Sequence, residues 1–311
     1  MDSKQARIVY MGTPEISAYV LESLLKNGYQ VVALISNEDK DVGLKHQLEM
    51  TPTKKVALSY NVPVYQPHRI RLDHEWLKDL KPDLILTFAY GQIVPQEVLD
   101  APKKGCLNLH GSLLPKLRGA APIQRAIITG EKKTGVTLMQ MVAAMDAGLM
   151  YDKEEVEIDD LDTYTSLQWK IAKAAEKLIL RDLDLYLNDR LPGVPQNEEE
   201  VTFADKIKPE EEHLNLELPA LDLVHLIHGL SETPGGYLIL DEKKLKLFQA
   251  KLFDLEENDA IGTLSCFGKK LLFQAKGGRI EILSLQSEGK KKMDAMSFLN
   301  GYRDLSGKVC S

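Results

Sequence analysis

The sequence is poor in cysteine. Its 311 residues include three, Cys106, Cys266 and Cys310, and they are far apart. An odd number of widely spaced cysteines fits neither a disulfide framework nor a C-x-x-C metal site. We therefore expect a chain that works in a reducing, cytoplasmic setting.

Long hydrophobic runs are also missing. No stretch of 18 consecutive apolar residues occurs, so we expect no membrane-spanning helix. The first residues, MDSKQARIVY, reach a strand-like segment without the apolar core or cleavage site of a secretory signal. Hydrophobic residues at 44% and charged residues at 27% are typical of a globular protein. Because a single core rarely keeps growing at this length, we expect two domains.

The common phosphate-binding and hydrolase motifs are absent. The first predicted turn, MGTPE, has one glycine and not G-x-G-x-x-G, and no G-x-x-x-x-G-K-[ST], H-E-x-x-H or G-x-S-x-G occurs. These absences argue against an NAD or nucleotide-sugar enzyme, a P-loop protein, a zinc protease and a serine hydrolase. His225 and His228 lie on one predicted helix but have no carboxylate motif beside them, so we expect structural roles and no metal.

The charge is uneven along the chain. The formal net charge is -7, with 46 acidic and 39 basic residues. Lysines nevertheless gather in the last quarter, at 243–246, 269–270 and 290–292. Since an electrostatic contact surface is local, an acidic chain can still bind nucleic acid. The sequence therefore permits a nucleic-acid contact in the C-terminal part.

Five short apolar runs alternate with helical patterns in the first part of the chain. They span 7–12, 30–36, 83–89, 106–112 and 134–141. Such runs predict strands buried on both faces of a parallel, doubly wound α/β sheet. Thr13 is expected to cap the first helix, with Pro14 at its first position. A long helix is expected to follow Asp162 and Thr163 and to run through 167–187.

A change in composition separates this part from the rest. Residues 191–200, LPGVPQNEEE, read as an exposed linker. A helical piece at 219–230 and five short strands with glycine-rich connections follow, and they indicate a small β-barrel of the kind that binds oligonucleotides. The predicted division is a first domain of residues 1–190, a linker of 191–205 and a C-terminal barrel domain of 206–311.

The segment CLNLHGSLLP, residues 106–115, is the first candidate site. Side chains alternate across a strand, so Asn108 and His110 lie on the same face. They stand at the carboxyl end of a predicted central strand, where open α/β sheets place their ligands. An amide donor beside a titratable imidazole suits a reaction in which a carbonyl becomes an oxyanion. The alternative is that both side chains cap loops.

A carboxylate follows the last apolar run. Asp146 lies in AAMDAGLMY, and a neighbouring parallel strand would bring it to the edge that carries Asn108 and His110. There it could orient the imidazole and assist proton removal. A single aspartate in such a loop is typical of a turn, but the three groups together favour a catalytic site.

These residues resemble a known family. NLHGSLLPKLRGAAPIQRAI, followed by TGVTLMQM and MDAG, is similar to the formyltransferases that use 10-formyltetrahydrofolate. The resemblance extends to MGTPE, to LTFAYGQIVP at 86–95, to FADKIKPEE at 203–211 and to LQSEGKKKM at 285–293. It implies a Rossmann-like catalytic domain followed by an OB-like barrel that binds tRNA.

The resemblance also implies residue roles. Asn108, His110 and Asp146 would be catalytic, and the folate site would be lined by Ser112, Leu113, Leu114 and Pro115. The implied reaction moves the formyl group of 10-formyltetrahydrofolate to the α-amino group of methionine on initiator tRNA, and it requires no metal because the folate carries the one-carbon unit. Apart from the resemblance, we expect a cytoplasmic protein with no membrane contact, and nothing in the sequence demands more than a monomer.

Two segments depart from the family pattern. The loop at 37–50 is usually basic, but Glu38, Asp39 and Asp41 dilute its Lys40, Lys45 and His46. The tryptophan-bearing segment early in the second domain is replaced by LNLELPA and LSETPGGYL. The alternatives are a formyltransferase for an amino sugar, a formyl-folate hydrolase with the same site, and a non-catalytic RNA-binding protein.

Overall fold

The computed structural model describes residues 2–42, 47–302 and 304–311. Lys45, His46 and Arg303 lie outside the described residues. The described residues form two compact units. The first comprises Met1–Gly119, Gly135–Val156 and Trp169–Phe203, and the second comprises Ala120–Thr134, Glu157–Gln168 and Ala204–Ser311. Within the described ranges, no helix is both long and apolar enough to cross a membrane.

The first unit is built on a seven-stranded sheet with the order β5-β2-β1-β6-β7-β8-β9 in the described part of the chain. The strands of this part are β1 (Ile8–Met11), β2 (Val31–Ile35), β3 (Lys40–Val42), β4 (Gln47–Glu49), β5 (Val64–Tyr65), β6 (Leu84–Thr87), β7 (Cys106–His110), β8 (Lys133–Gln140) and β9 (Met150–Glu157), of which β3 and β4 form a separate two-stranded antiparallel sheet. The pairs from β5 to β7 are parallel, which confirms the predicted mostly parallel sheet.

The direction of β8 corrects one prediction. The run 134–141 was expected to be a parallel strand, but β8 pairs antiparallel with β7, with His110 opposite Thr137. A parallel neighbour needs a crossover, usually a helix packed on the sheet. The helix between these strands, α4 (Pro122–Ile128), belongs to the second unit instead. The chain therefore returns to the sheet in the opposite direction.

The other helices of this part are α1 (Glu15–Lys26), α2 (Pro52–Ser59), α3 (Gln96–Leu99) and α5 (Tyr164–Leu187). The long helix predicted after Asp162 and Thr163 is confirmed as α5. The prediction that Thr13 caps α1 is wrong, because Pro14 is the N-cap and no side chain caps the helix. The Thr13 hydroxyl donates instead to the Tyr90 carbonyl at 3.3 Å and accepts from the Asn37 amide at 3.2 Å.

Burial on both sides explains the apolar runs. All four residues of β1 and of β6 are buried, and each fully buried aliphatic side chain contributes about 1.5–3 kcal/mol to folding. Cys106 on β7 shares this core, and its thiol approaches the carbonyls of Val98 and Leu99 at 3.7 and 3.6 Å. Burial raises the pKa of this thiol to about 12.

The second unit carries the antiparallel sheet. Its elements are α6 (Ala220–Gly229), β10 (Gly236–Leu240), β11 (Lys243–Asp254), β12 (Leu264–Phe267), β13 (Lys270–Ala275), β14 (Gly278–Ser287), β15 (Met293–Asp294) and α7 (Ala295–Gly301). The order is β10-β11-β14-β13-β12, with β15 beside β14. The five predicted strands are confirmed.

The C-terminal residues join the two ends of this sheet. Ser311 exchanges two backbone hydrogen bonds with Ile239 of β10, at 2.7 and 3.0 Å. On the other side, Cys310 donates to the Gly262 carbonyl and Leu264 of β12 donates to the Lys308 carbonyl, both at 2.8 Å. The last four residues thus satisfy backbone groups on both edge strands, which an open sheet would leave unpaired.

Candidate active site

His110 ends β7, and its ring nitrogens face different partners. The side chain is 5% exposed. Its Nε2 lies 2.9 Å from the Leu117 carbonyl oxygen. Because a carbonyl can only accept, Nε2 carries the hydrogen and donates it. The neutral ring therefore has its lone pair on Nδ1, which lies 3.7 Å from Asp146 Oδ1.

Asp146 reaches His110 from the loop between β8 and β9. Its Oδ2 accepts from the Gly119 amide at 2.8 Å, which leaves Oδ1 directed towards the imidazole. The backbone of Asp146 has φ 51, and that of Leu117 has φ 60. Left-handed backbone at a residue other than glycine costs about 1–3 kcal/mol and concentrates at functional sites. The meeting of Asp146 with His110 was predicted, but the parallel strand that was to produce it was not found.

Asn108 and its neighbour Thr87 have hydrogen-bonding capacity that the described residues do not use. Asn108 pairs in register with Thr87 of β6, so the two side chains share a face of the sheet with His110. Asn108 is half-buried, and its side-chain amide group forms no hydrogen bond with a described residue. The Thr87 hydroxyl is buried and also has no partner in the described part. Such groups are rare in folded proteins.

The segment predicted to line the folate site is mostly buried. Leu114 is 0% exposed, and its amide donates to the Thr137 hydroxyl at 3.1 Å. That hydroxyl donates in turn to the Ser112 carbonyl at 2.7 Å. Pro115 is buried as well, whereas Leu113 is half-buried. Of these four side chains, Leu113 is therefore the one that solvent or a ligand can reach.

The loop after β6 is fixed to two other strand ends. The Tyr90 carbonyl accepts from Asn37 Nδ2 at 2.8 Å and from the Thr13 hydroxyl. Gln92 Nε2 donates to Asn37 Oδ1 at 2.8 Å. These bonds join the segments that follow β1, β2 and β6, so the carboxyl edge of the sheet is held as one piece.

Arg118, Gln196 and Glu198 form a cluster that the sequence analysis missed. Arg118 is 5% exposed, donates from Nε to Gln196 Oε1 at 2.9 Å, and forms a two-pronged contact with Glu198. The guanidinium lowers the pKa of the Glu198 carboxyl. Gln196 Nε2 donates to the carbonyls of Asp146 at 2.7 Å and Gly148 at 2.9 Å. The one sequence signal was an arginine three residues after the candidate segment 106–115.

The two histidines of α6 belong to the second unit. His228 is 1% exposed, and its Nε2 accepts from the Ala250 amide at 3.1 Å. Burial lowers the pKa of His225 below its ordinary value. In the described ranges, no group of three or more His, Cys, Asp or Glu side chains could hold a metal ion.

An amide, an imidazole and a carboxylate lie beside the carboxyl end of a parallel strand, where open α/β sheets bind their ligands, and such a set of groups is able to act on a carbonyl. Comparison with known proteins specifies the group. A formyl transferase model matches residues 6–183, and a model of the formyl transferase C-terminal domain matches residues 206–303. The chain belongs to the formyl transferase family and is a transferase, which confirms the resemblance seen in the sequence.

Curated relatives match over almost the whole chain. The chain is 40% identical to methionyl-tRNA formyltransferase of Malacoplasma penetrans, over 97% of this chain and 95% of that protein. It is 42% identical to methionyl-tRNA formyltransferase of Bacillus pumilus, over 95% of each.

Solved structures share the fold. WlaRD, a sugar 3N-formyl transferase solved with dTDP and 5-N-formyl-THF, has a TM-score of 0.68 at 19% identity, covering 92% of this chain and 99% of that one. An N-formyltransferase from Helicobacter canadensis, in complex with folinic acid and dTDP-3-aminofucose, also has a TM-score of 0.68, at 18% identity and covering 91% and 100%.

Proposed function

We propose that this protein transfers the formyl group of 10-formyltetrahydrofolate to the α-amino group of methionyl initiator tRNA. The product, N-formylmethionyl-tRNA, starts translation. Full-length relatives named for this reaction support the proposal. The observation that carries it is the approach of His110 Nδ1 to Asp146 Oδ1, 3.7 Å apart, on the face of β7 that also bears Asn108.

Asn108 is assigned to the formyl oxygen. As the amine attacks the formyl carbon, negative charge develops on that oxygen. The Asn108 amide is a neutral donor without another described partner, so it can donate to the oxygen without first breaking a bond. One such preorganised donor is worth about 3–4 kcal/mol in the transition state.

His110 is assigned to the proton. Its Nε2 hydrogen is engaged by the Leu117 carbonyl, so Nδ1 is the nitrogen that can accept the proton released by the attacking amine. The charged ring then faces the Asp146 carboxylate. When the bond between the formyl carbon and N10 of the folate breaks, the same proton passes from Nδ1 to N10. The ring is then neutral again, and the step balances without an outside acid or base.

Ser112, Leu113, Leu114 and Pro115 are assigned to the folate site. Burial of three of these side chains supports contact through Leu113 and the loop backbone rather than through the Ser112 hydroxyl, which is bonded to the Lys116 carbonyl at 2.6 Å. The unused hydrogen-bonding groups of Asn108 and Thr87 beside the loop fit a polar ligand. The folate supplies the one-carbon unit.

The second unit is assigned to the tRNA. Part of its lysine set is neutralised, since Lys270 pairs with Glu281 at 3.2 Å and Lys292 pairs with Glu232. Lys269 and Lys290 form no ion pair with a described acidic residue and remain for phosphates. We propose domains of residues 1–190 and 206–311 joined by the segment 191–205, whose residues up to Phe203 belong to the first compact unit. We also propose a cytoplasmic monomer with no membrane contact.

The test supplies the purified protein with 10-formyltetrahydrofolate and either methionyl initiator tRNA or a dTDP-amino sugar. We expect formylation of the tRNA and none of the sugar, and Asn108→Ala should abolish most of it. Formylation of the sugar alone would assign the chain to the sugar enzymes. Release of formate without any acceptor product would indicate a hydrolase, and tRNA binding without turnover would indicate a pure binding protein.

A further inference from the structure

We propose that Arg118 and Gln196 are positioning residues for the reaction. They hold the side chains of Asp146 and His110 in place relative to each other, and Gln196 does so from a part of the chain that is distant in sequence. The inference rests on the proposed function for its kinetic consequence. Its structural part stands on contacts within the first unit and can be measured without turnover.

Gln196 fixes the Asp146 loop directly. Its single amide nitrogen donates to two carbonyls of that loop, those of Asp146 and Gly148. Gly148 is also pressed against β8, because a Cβ placed on it would lie 2.0 Å from the Gln140 carbonyl oxygen. The loop is therefore packed between Gln196 and β8. This packing keeps the Asp146 backbone in its left-handed conformation, which it could otherwise leave.

Arg118 orients Gln196. Its Nε donates to the Gln196 side-chain oxygen, which leaves the Gln196 nitrogen directed at the loop. The guanidinium is almost fully buried, whereas the carboxylate of its ion-pair partner Glu198 is 72% exposed. Burying an arginine is costly, and an ion pair with an exposed partner returns little stability. Fold stability alone therefore gives a weak reason for this placement.

The backbone around Arg118 holds both catalytic side chains. The residue before it, Leu117, receives the His110 hydrogen bond, and the residue after it, Gly119, donates to Asp146. This tripeptide is tied to Thr202, whose hydroxyl accepts from the Leu117 amide and whose carbonyl accepts from the Arg118 amide, both at 2.9 Å. Gln196 and Thr202 thus hold the backbone segments that contact the imidazole and the carboxylate.

The kinetic test uses Gln196→Ala and Arg118→Lys. We expect kcat to fall by about 10- to 100-fold, because an ångström of misplacement costs about that much, while KM for folate and for tRNA stays within about twofold. Arg118→Lys keeps the charge but loses the Nε donor that orients Gln196. Glu199→Gln is the matched control. Glu199 lies in the same short turn as Glu198, which contacts Arg118, but the Glu199 side chain itself makes no contact among the described residues. The kcat of this variant should be unchanged.

A double-mutant cycle separates positioning from general support. In an Asp146→Asn background, Gln196→Ala should lower the residual kcat by less than about threefold, because the carboxylate it positions is gone. An effect as large as in the wild-type background would overturn the proposal. So would a kcat within about twofold of wild type for both single variants.

Hydrogen exchange gives a measurement that does not depend on activity. In Gln196→Ala, amides of residues 141–149 and of Gly119 should exchange at least about tenfold faster, with β1 and β6 unchanged. Unaltered exchange would overturn the proposal even if kcat fell. If the wild-type protein does not formylate tRNA but Gln196→Ala still speeds exchange in the Asp146 loop, the proposed function is wrong, whereas the structural role of Arg118 and Gln196 is supported.

Discussion

Acid should weaken the second unit through one buried imidazole, that of His228. The pKa of this ring is lowered from 6.5 to about 4, mainly by burial; the charge of nearby His225 contributes to the shift and that of Asp162 opposes it. Its Nε2 accepts from the Ala250 amide. Since that nitrogen would take up the proton, charging the ring breaks a hydrogen bond inside the core as well as burying a charge.

The magnitude follows from the two pKa values. A group whose pKa is lower in the folded state stabilises the fold at pH values above its unfolded pKa, and this stabilisation is lost as the pH falls towards the folded pKa. The values differ by about 2.5 for His228, and each pH unit corresponds to about 1.4 kcal/mol. The full loss is therefore about 3 kcal/mol, reached near pH 4, and about 2 kcal/mol of it falls between pH 7 and pH 5.

The assay is the free energy of opening at the Ala250 amide, from hydrogen exchange corrected for the intrinsic rate at each pH. The control is His228→Gln, whose side-chain oxygen can accept from Ala250 but does not titrate. We expect the wild type to lose about 2 kcal/mol more than His228→Gln between pH 7 and pH 5. Equal losses in the two proteins would refute the reasoning, because carboxylates and the remaining histidines are common to both.

Three further outcomes are expected. His110→Asn should lower single-turnover formylation by about 10²- to 10⁴-fold, the usual size of proton-transfer catalysis; a loss below tenfold would remove His110 from the mechanism. Gly135→Ala should cost about 1–3 kcal/mol in urea unfolding, since its Cβ would lie 2.2 Å from the Glu154 carbonyl oxygen and 2.5 Å from Leu113 Cδ2. Gly301→Ala, with open space around it, is the control, and equal costs would contradict the packing argument. The logarithm of the binding constant for tRNA should fall linearly with the logarithm of the salt concentration, with a slope of about −0.7 to −0.9 per phosphate contact. A binding constant that does not change with salt would exclude contacts with the phosphates of the RNA.

Local patterns predicted most of the elements. The buried strands β1, β2, β6 and β7 are apolar runs ended by turn residues, and α5 has a continuous apolar stripe; both signals lie within a few residues of sequence. The direction of β8 could not be predicted in this way, because a strand buried on both faces has the same composition in either direction. That direction depends on α4, which joins the second unit and so supplies no crossover on the sheet.

The part of the site that depends on local sequence patterns was predictable, and the part that depends on distant contacts was not. Alternation along β7 is enough to place Asn108 and His110 on one face. The roles of Arg118 and Gln196 were not predicted because the two residues are 78 positions apart. A hydrogen bond between two polar side chains produces no repeating pattern in the sequence. The burial of Ser112, Leu114 and Pro115 was missed for a related reason, since a loop's own backbone bonds decide which of its side chains turn inward.

The contacts of residues 194–203 bear on where this protein can be divided. Val194 exchanges two hydrogen bonds with Met150, and Arg118 donates its amide to Thr202. An N-terminal fragment cut at residue 190 would keep the entire sheet and every predicted catalytic side chain, yet would lose Gln196 and Glu198, the side-chain partners of the Arg118 guanidinium. A fragment that is meant to be active on its own should extend at least to residue 203.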